Sequence, residues 1–251
     1  MPWVESISPS FRARHEAADA AAADRVLHSL ELTRDRLAEV FPRTVGDMTL
    51  ILHRSTVSLV MTNPLLPVGW LLTSPAARRY VAGWASTGEL HVLAPALLER
   101  RASNVAGSRE MLELSAAALY ARRVIVENNH DLQHSITPKR VRLELRWAWL
   151  LEGAARWFSG QTEHARPAIA RRMREGGRPR FPPGIRDAPL LGGTLIDLLV
   201  REEGELAAAQ LSGRLHPKGA RAALLKAFSD RPLVHTEGEW RSHLARMASA
   251  R

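Results

Sequence analysis

Only two short stretches of this chain combine the alternation and the β-branched or leucine-rich composition of a strand. They are Thr49-Leu50-Ile51-Leu52-His53 and Leu90-His91-Val92-Leu93, the second following a Thr87-Gly88 turn, and both lie in the first hundred residues. Beyond them the apolar residues recur at helical spacing. Strands early and helices to the end predict an α+β fold, mostly helical, with a small N-terminal β-sheet and a C-terminal helical bundle. The division falls near residue 108. Residues 1–108 would hold an N-terminal helix and the sheet, and residues 109–251 the helical part, together one compact unit. At 251 residues the chain can bury a sizeable core.

Several boundaries follow from local chemistry. A helix is predicted over 14–40, with Val26, Leu27, Leu30, Leu37 and Val40 on its apolar positions and Pro42 beyond its end. Residues 48–60 read as one or two strands, and Asn63-Pro64 and Pro67 as loops. A helix over 108–128 should stop at the poor helix formers Asn128-Asn129. Thr137-Pro138 is an N-cap followed by proline at the first helical position, opening a helix to about Phe158. The Pro/Gly/Arg stretch 176–189 reads as a long loop. Helices over 190–203 and 217–228 follow, and the capping box Thr236-x-x-Glu239 predicts the start of a last one. Gly192-Gly193-Thr194 lacks the spacing of a phosphate loop and reads as a helix N-terminus with Thr194 near the cap.

Composition narrows the function classes. The chain has no cysteine, which excludes disulfides, thiolate metal sites and cysteine nucleophiles. Its net charge of +9 raises nucleic acid as a partner, but all but three of the 35 basic residues are arginine, which points to a general compositional skew. The densest basic segment, 166–186, sets Arg171, Arg172, Arg174, Arg178 and Arg180 against Glu175. Phe181 is its only aromatic residue, so it lacks the stacking platforms of single-strand binders. A nucleic-acid-associated basic protein stays as a third reading. No apolar run approaches the roughly 18 residues that span a bilayer, and the N-terminus shows no basic region followed by an apolar one. The expectation is a cytoplasmic protein without a membrane partner.

One residue stands out against this background. In Trp147-Ala148-Trp149-Leu150-Leu151-Glu152-Gly153-Ala154-Ala155, Glu152 is the only charge, on a helix whose apolar rows flank it. A carboxylate so placed is costly unless a cation meets it. The simplest partner is Arg156, one turn on and in the favourable order. The alternative is a metal.

The segment Trp149-Leu150-Leu151-Glu152-Gly153-Ala154-Ala155-Arg156-Trp157 resembles the W-L-x-E-G-x-A-x-[YW] segment of gluzincin metallopeptidases, in particular the peptidase-MA-like group. The order of helix, strands, two central helices and C-terminal bundle is similar, as is the close at Glu237-Gly238-Glu239-Trp240-Arg241-Ser242-His243-Leu244. The resemblance implies a zincin-like fold with Glu152 as third zinc ligand, downstream of a helix carrying H-E-x-x-H. There, two histidines one turn apart hold zinc and the adjacent glutamate deprotonates its water. No intact H-E-x-x-H is present. One register, Val126-Glu127-Asn128-Asn129-His130, keeps the base Glu127 and one ligand, His130. The other, His130-Asp131-Leu132-Gln133-His134, keeps both ligands, His130 and His134, but shortens the base to Asp131, moving its carboxylate on the order of 1.5 Å from the water. A further ligand could arrive from His91 or His164. The resemblance therefore implies a gluzincin-type protein with an altered catalytic centre, inactive or weakly active, that binds a peptide or protein. The alternative is an active zinc peptidase using His130, His134 and Glu152.

Overall fold

The computed structural model describes residues 3–132 and 137–249. The fold is α+β and mostly helical, with one five-stranded sheet built from the N-terminal part. The chain opens with a hairpin, β1 (Trp3–Ile7) and β2 (Phe11–Glu16), followed by helix α1 (Ala20–Ala38). The helix expected over 14–40 thus begins later. In β2, Phe11, Ala13 and His15 are buried while Arg12 and Arg14 point outward, an alternation that sheet pairing rewards and a helix could not bury.

Strand β3 (Met48–His53) lies parallel to β2, with Phe11 opposite Met48, and buries Met48, Leu50 and Leu52. The remainder of the 48–60 stretch is helical. Ser55 accepts a hydrogen bond from Ser58 N and caps α2 (Thr56–Thr62), and α3 (Leu66–Leu72) follows Asn63-Pro64. After the single turn α4 (Pro75–Arg78) come β4 (Gly83–Ala85) and β5 (Glu89–Leu93). Strand β5 is parallel to β3 and antiparallel to β4, giving the order β1-β2-β3-β5-β4 with β4 on an open edge.

The helical part starts with α5 (Pro95–Arg101), α6 (Ser108–Glu113) and α7 (Ser115–Asn128). Helix α7 packs on α1, β4 and β5 and so carries the helical part onto the sheet. It ends at Asn128, whose side chain closes the terminus by donating to Val124 O and Arg43 O, as the poor helix propensity of Asn128-Asn129 predicts. Thr137 caps α8 (Pro138–Arg146) through a bond from Arg140 N, with Pro138 at the first position. The predicted single helix to Phe158 is broken at Trp147, which is buried, and resumes as α9 (Ala148–Phe158).

Helix α10 (Arg166–Arg174) precedes the long loop. Helices α11 (Ala188–Glu203), α12 (Glu205–Gly213), α13 (Ala220–Ala227) and α14 (Leu233–Ser249) complete the chain. Gly192-Gly193-Thr194 lies inside α11 rather than at its start. Its glycines serve packing: a Cβ on Gly153 would stand 2.5 Å from Gly192 C, so α9 and α11 touch backbone to backbone. Thr236 is likewise no cap. It is buried within α14, which starts three residues earlier. Among the described residues no helix is long and apolar enough to cross a membrane.

Candidate functional site

Helices α7 and α9 pack side by side beneath the edge strand β4, and the three enclose a cavity of about 270 Å³. Strand β4 supplies Gly83, Trp84 and Ala85, α7 supplies Ser115, Ala118, Leu119 and Arg122, and α9 supplies Glu152, Ala155 and Arg156. Gly83 is required by close approach, because a Cβ there would meet His91 O and Leu119 Cδ1 at 2.2 and 2.9 Å. The antiparallel register pairs Trp84 with His91, and Ser86 N donates to Glu89 O. Alternation then turns the N–H and C=O of Gly83 and Ala85 away from β5, along the open edge.

The carboxylate singled out by the sequence lies in this cavity, and a cation does meet it. That cation is Arg122. Its Nε donates to Glu152 Oε1 at 3.0 Å and its Nη2 to Glu144 Oε2 at 2.7 Å, while Arg140 Nε donates to the other Glu144 oxygen at 2.9 Å. Burial works against charge on Arg122, but Glu152 and Glu144 outweigh it and hold the guanidinium pKa above its usual value. For Glu144 burial is again opposed, by Arg122 and Arg140, and the net pKa is low. The two arginines and two glutamates form one network, each carboxylate with a guanidinium.

Arg156, the partner suggested by helix spacing, points elsewhere. Its Nη1 donates to Gln161 Oε1 at 2.7 Å and its Nη2 reaches Tyr80 O at 3.4 Å. Burial lowers its pKa, with Glu152 acting in the opposite direction.

The residues of the two H-E-x-x-H-like registers lie elsewhere. From Arg122 to Glu127 is five residues, roughly 7.5 Å along α7 and about 140° around it. Glu127 pairs with Arg123 at 3.6 Å. His130 and Asp131 come after the helix end: His130 N donates to Gly213 O, and Asp131 Oδ2 accepts from Leu215 N at 2.8 Å. None of the three lines the cavity around Glu152. His134 lies outside the described residues. Among the described residues no three histidine, aspartate or glutamate side chains are placed to hold a metal ion.

The α7 residues that line the cavity with Glu152 are Ser115, Ala118, Leu119 and Arg122, and of these Arg122 bonds to it. Among the described residues no histidine lines this cavity. A motif search on histidines cannot find it. The legible signals were the isolated Glu152 and the run of small residues Ser115-Ala116-Ala117-Ala118, which lets α7 approach its neighbours.

A second polar cluster lies on the sheet behind Trp84. His91 stacks on Trp84 with ring centres 4.2 Å apart and shares a 3.0 Å hydrogen bond between its Nδ1 and His53 Nε2. Its Nε2 lies 3.2 Å from Glu89, and His53 Nδ1 lies 3.2 Å from Ser58 Oγ. With both rings neutral, His91 Nε2 can donate to Glu89 while His53 Nε2 donates to His91 Nδ1. Burial pushes His53 down to about 4, helped by His91, and burial also lowers His91 against the opposing pull of Glu89. His91 is thus committed to this chain, and His164 sits on a 3-10 turn at 161–164.

The basic segment is also partly committed. Arg172 is buried and holds Asp187 through two bonds of 2.5 and 2.8 Å, with the hydrogen bond to Asp187 raising its pKa above burial's opposition. Arg171 pairs with Glu175 and Arg178 with Glu237, at 3.6 and 3.7 Å. Comparison of the chain with protein-family models, curated proteins and solved structures yields no match.

Proposed function

We propose that this protein is a catalytically silent relative of the gluzincin peptidases whose cleft binds an extended peptide segment of a protein partner. The observation that carries the reading is the Arg122–Glu152 ion pair. It lies in a cavity walled by an edge strand and two helices, and on our reading Arg122 takes the place of a ligand histidine opposite Glu152, in a register of α7 (118–122) other than the two built on His130. A guanidinium satisfies the carboxylate by itself, so no metal is needed to offset its burial. In that register Leu119 would stand in for the catalytic glutamate, and it has no group to take a proton from water. What the cleft keeps is the means to hold a chain: the open edge of β4, whose backbone at Gly83 and Ala85 can pair with an added strand, beside an apolar floor from Ala118, Leu119 and Ala155.

Selection of displayed random peptides on the full chain tests this. Binding peptides should be recovered, and Ala85→Pro, which removes an outward N–H of β4, should weaken them. Failure to recover peptides, or binding indifferent to Ala85→Pro with the fold intact by circular dichroism, contradicts the reading.

A further inference from the structure

The 23 residues of segment 55–77 carry no charged side chain, although 24% of the whole chain is charged. This segment is α2, α3 and the turn into α4, and it exposes its apolar side chains. Val57 is 69% exposed, Met61 80%, Leu65 72% and Leu71 74%, with Val68 and Leu72 near half. Leu59 and Leu66 anchor the two helices from beneath, and Trp70 Nε1 ties α3 down by donating to Val81 O. The projecting residues are therefore a fixed ridge on an anchored base. Scattered exposed leucines need no explanation, but six exposed apolar side chains within residues 57–72, on a segment without charge, mark a surface that meets something apolar.

The neighbouring helix supplies the matching charge. Val141 and Leu145 of α8 line one cavity with Gly69 of α3 and with Thr73 just past its end, and are themselves exposed. Around them α8 carries Lys139, Arg140, Arg142 and Arg146 against the one acid Glu144, and that acid is held by Arg122 and Arg140. Lys139 and Arg142 are exposed. We infer that the α2–α3 ridge and the basic face of α8 dock this protein on an anionic membrane surface. Apolar side chains would enter the headgroup boundary and Lys139 and Arg142 would meet lipid phosphates. The helices are seven residues each, so the contact lies on the bilayer and does not cross it. A protein partner fits less well, because side chains exposed by 69–80% project beyond their surroundings and suit a deformable medium. A bilayer of the right charge adds an attraction that a neutral one lacks.

Cosedimentation of the full chain with vesicles decides the matter. Vesicles of equal parts phosphatidylglycerol and phosphatidylcholine should bind it, pure phosphatidylcholine much less, and added salt should weaken the binding. Met61→Asp/Leu71→Asp, both on the exposed face, should reduce partitioning by at least about tenfold with an unchanged circular dichroism spectrum. Lys139→Glu/Arg142→Glu should abolish the preference for anionic lipid. No binding to either vesicle overturns the inference, as does binding indifferent to Met61→Asp/Leu71→Asp. So does sedimentation velocity showing self-association that this double variant abolishes while vesicles are ignored.

Discussion

Glu152 shows how far a single side chain can be read and where the reading stops. Its isolation among tryptophans and leucines correctly announced a carboxylate that needs a cation. The sequence could not say which. Arg156 stands one turn away on the same helix, but Arg122, thirty residues earlier, reaches the carboxylate because α7 packs against α9. Tertiary packing chose the partner, and local spacing carries no record of it. Arg122 also holds Glu144, so its loss strands two carboxylates at once. Arg122→Met should destabilise the fold by about 2–4 kcal/mol, read as a lower urea midpoint at unchanged slope. Adding Glu152→Gln should restore part of that loss, since the two sites are coupled. The His53–His91 pair makes a pH prediction of its own. Both rings are neutral in the fold with lowered pKa values, His53 at about 4, whereas an unfolded histidine titrates near 6.5. The unfolded chain therefore binds more protons between those values. Stability contributed by the pair is intact above about pH 6.5 and is lost as the pH falls towards 4. Thermal melts across that window should show the decline, and His53→Gln should flatten it.

At the scale of elements, local chemistry predicted what local chemistry controls. The cap at Thr137, the stop at Asn128 and the strands β3 and β5 were all legible because each rests on a few adjacent residues. The hairpin β1–β2 was not. Its alternation is spread between arginines that also suit a helix, and pairing with β3 decides in favour of strand. The break at Trp147 was hidden for a related reason: burial of the indole among neighbouring elements, not a proline or glycine, turns the chain there. Gly153 and Gly192 show the clearest case of a sequence feature whose purpose is tertiary. Gly192 reads as part of a helix N-terminus and Gly153 as a position inside a helix, yet together they allow α9 to meet α11 with no side chain between. Gly153→Ala should cost about 3 kcal/mol or more and lower the melting temperature sharply, because the added methyl meets backbone that cannot move aside. An unchanged melting temperature would show that the two helices can separate cheaply, and that Glu152 is held less firmly than the packing implies.

For the molecule as a whole, an N-terminal sheet under a helical body was visible in the order of elements, and the place of the cleft was not. Both registers built on His130 looked for the site at the end of α7, whereas the cavity lies at its middle, under β4. Most of the arginines that raise the net charge are tied to carboxylates or to backbone, as Arg172 is to Asp187. The net charge alone is thus a poor guide to a nucleic-acid surface. The central claim is that Arg122 occupies the place a metal ligand would hold. Zinc content, measured by mass spectrometry after purification without chelator, tests it most directly in the pair of wild type and Ala118→His/Arg122→His. The claim predicts no stoichiometric zinc in the wild type and one zinc per chain in the double variant, held by the two new imidazoles with Glu152 and lost on Glu152→Ala. A stoichiometric zinc in the wild type, or none in a folded double variant, would contradict it.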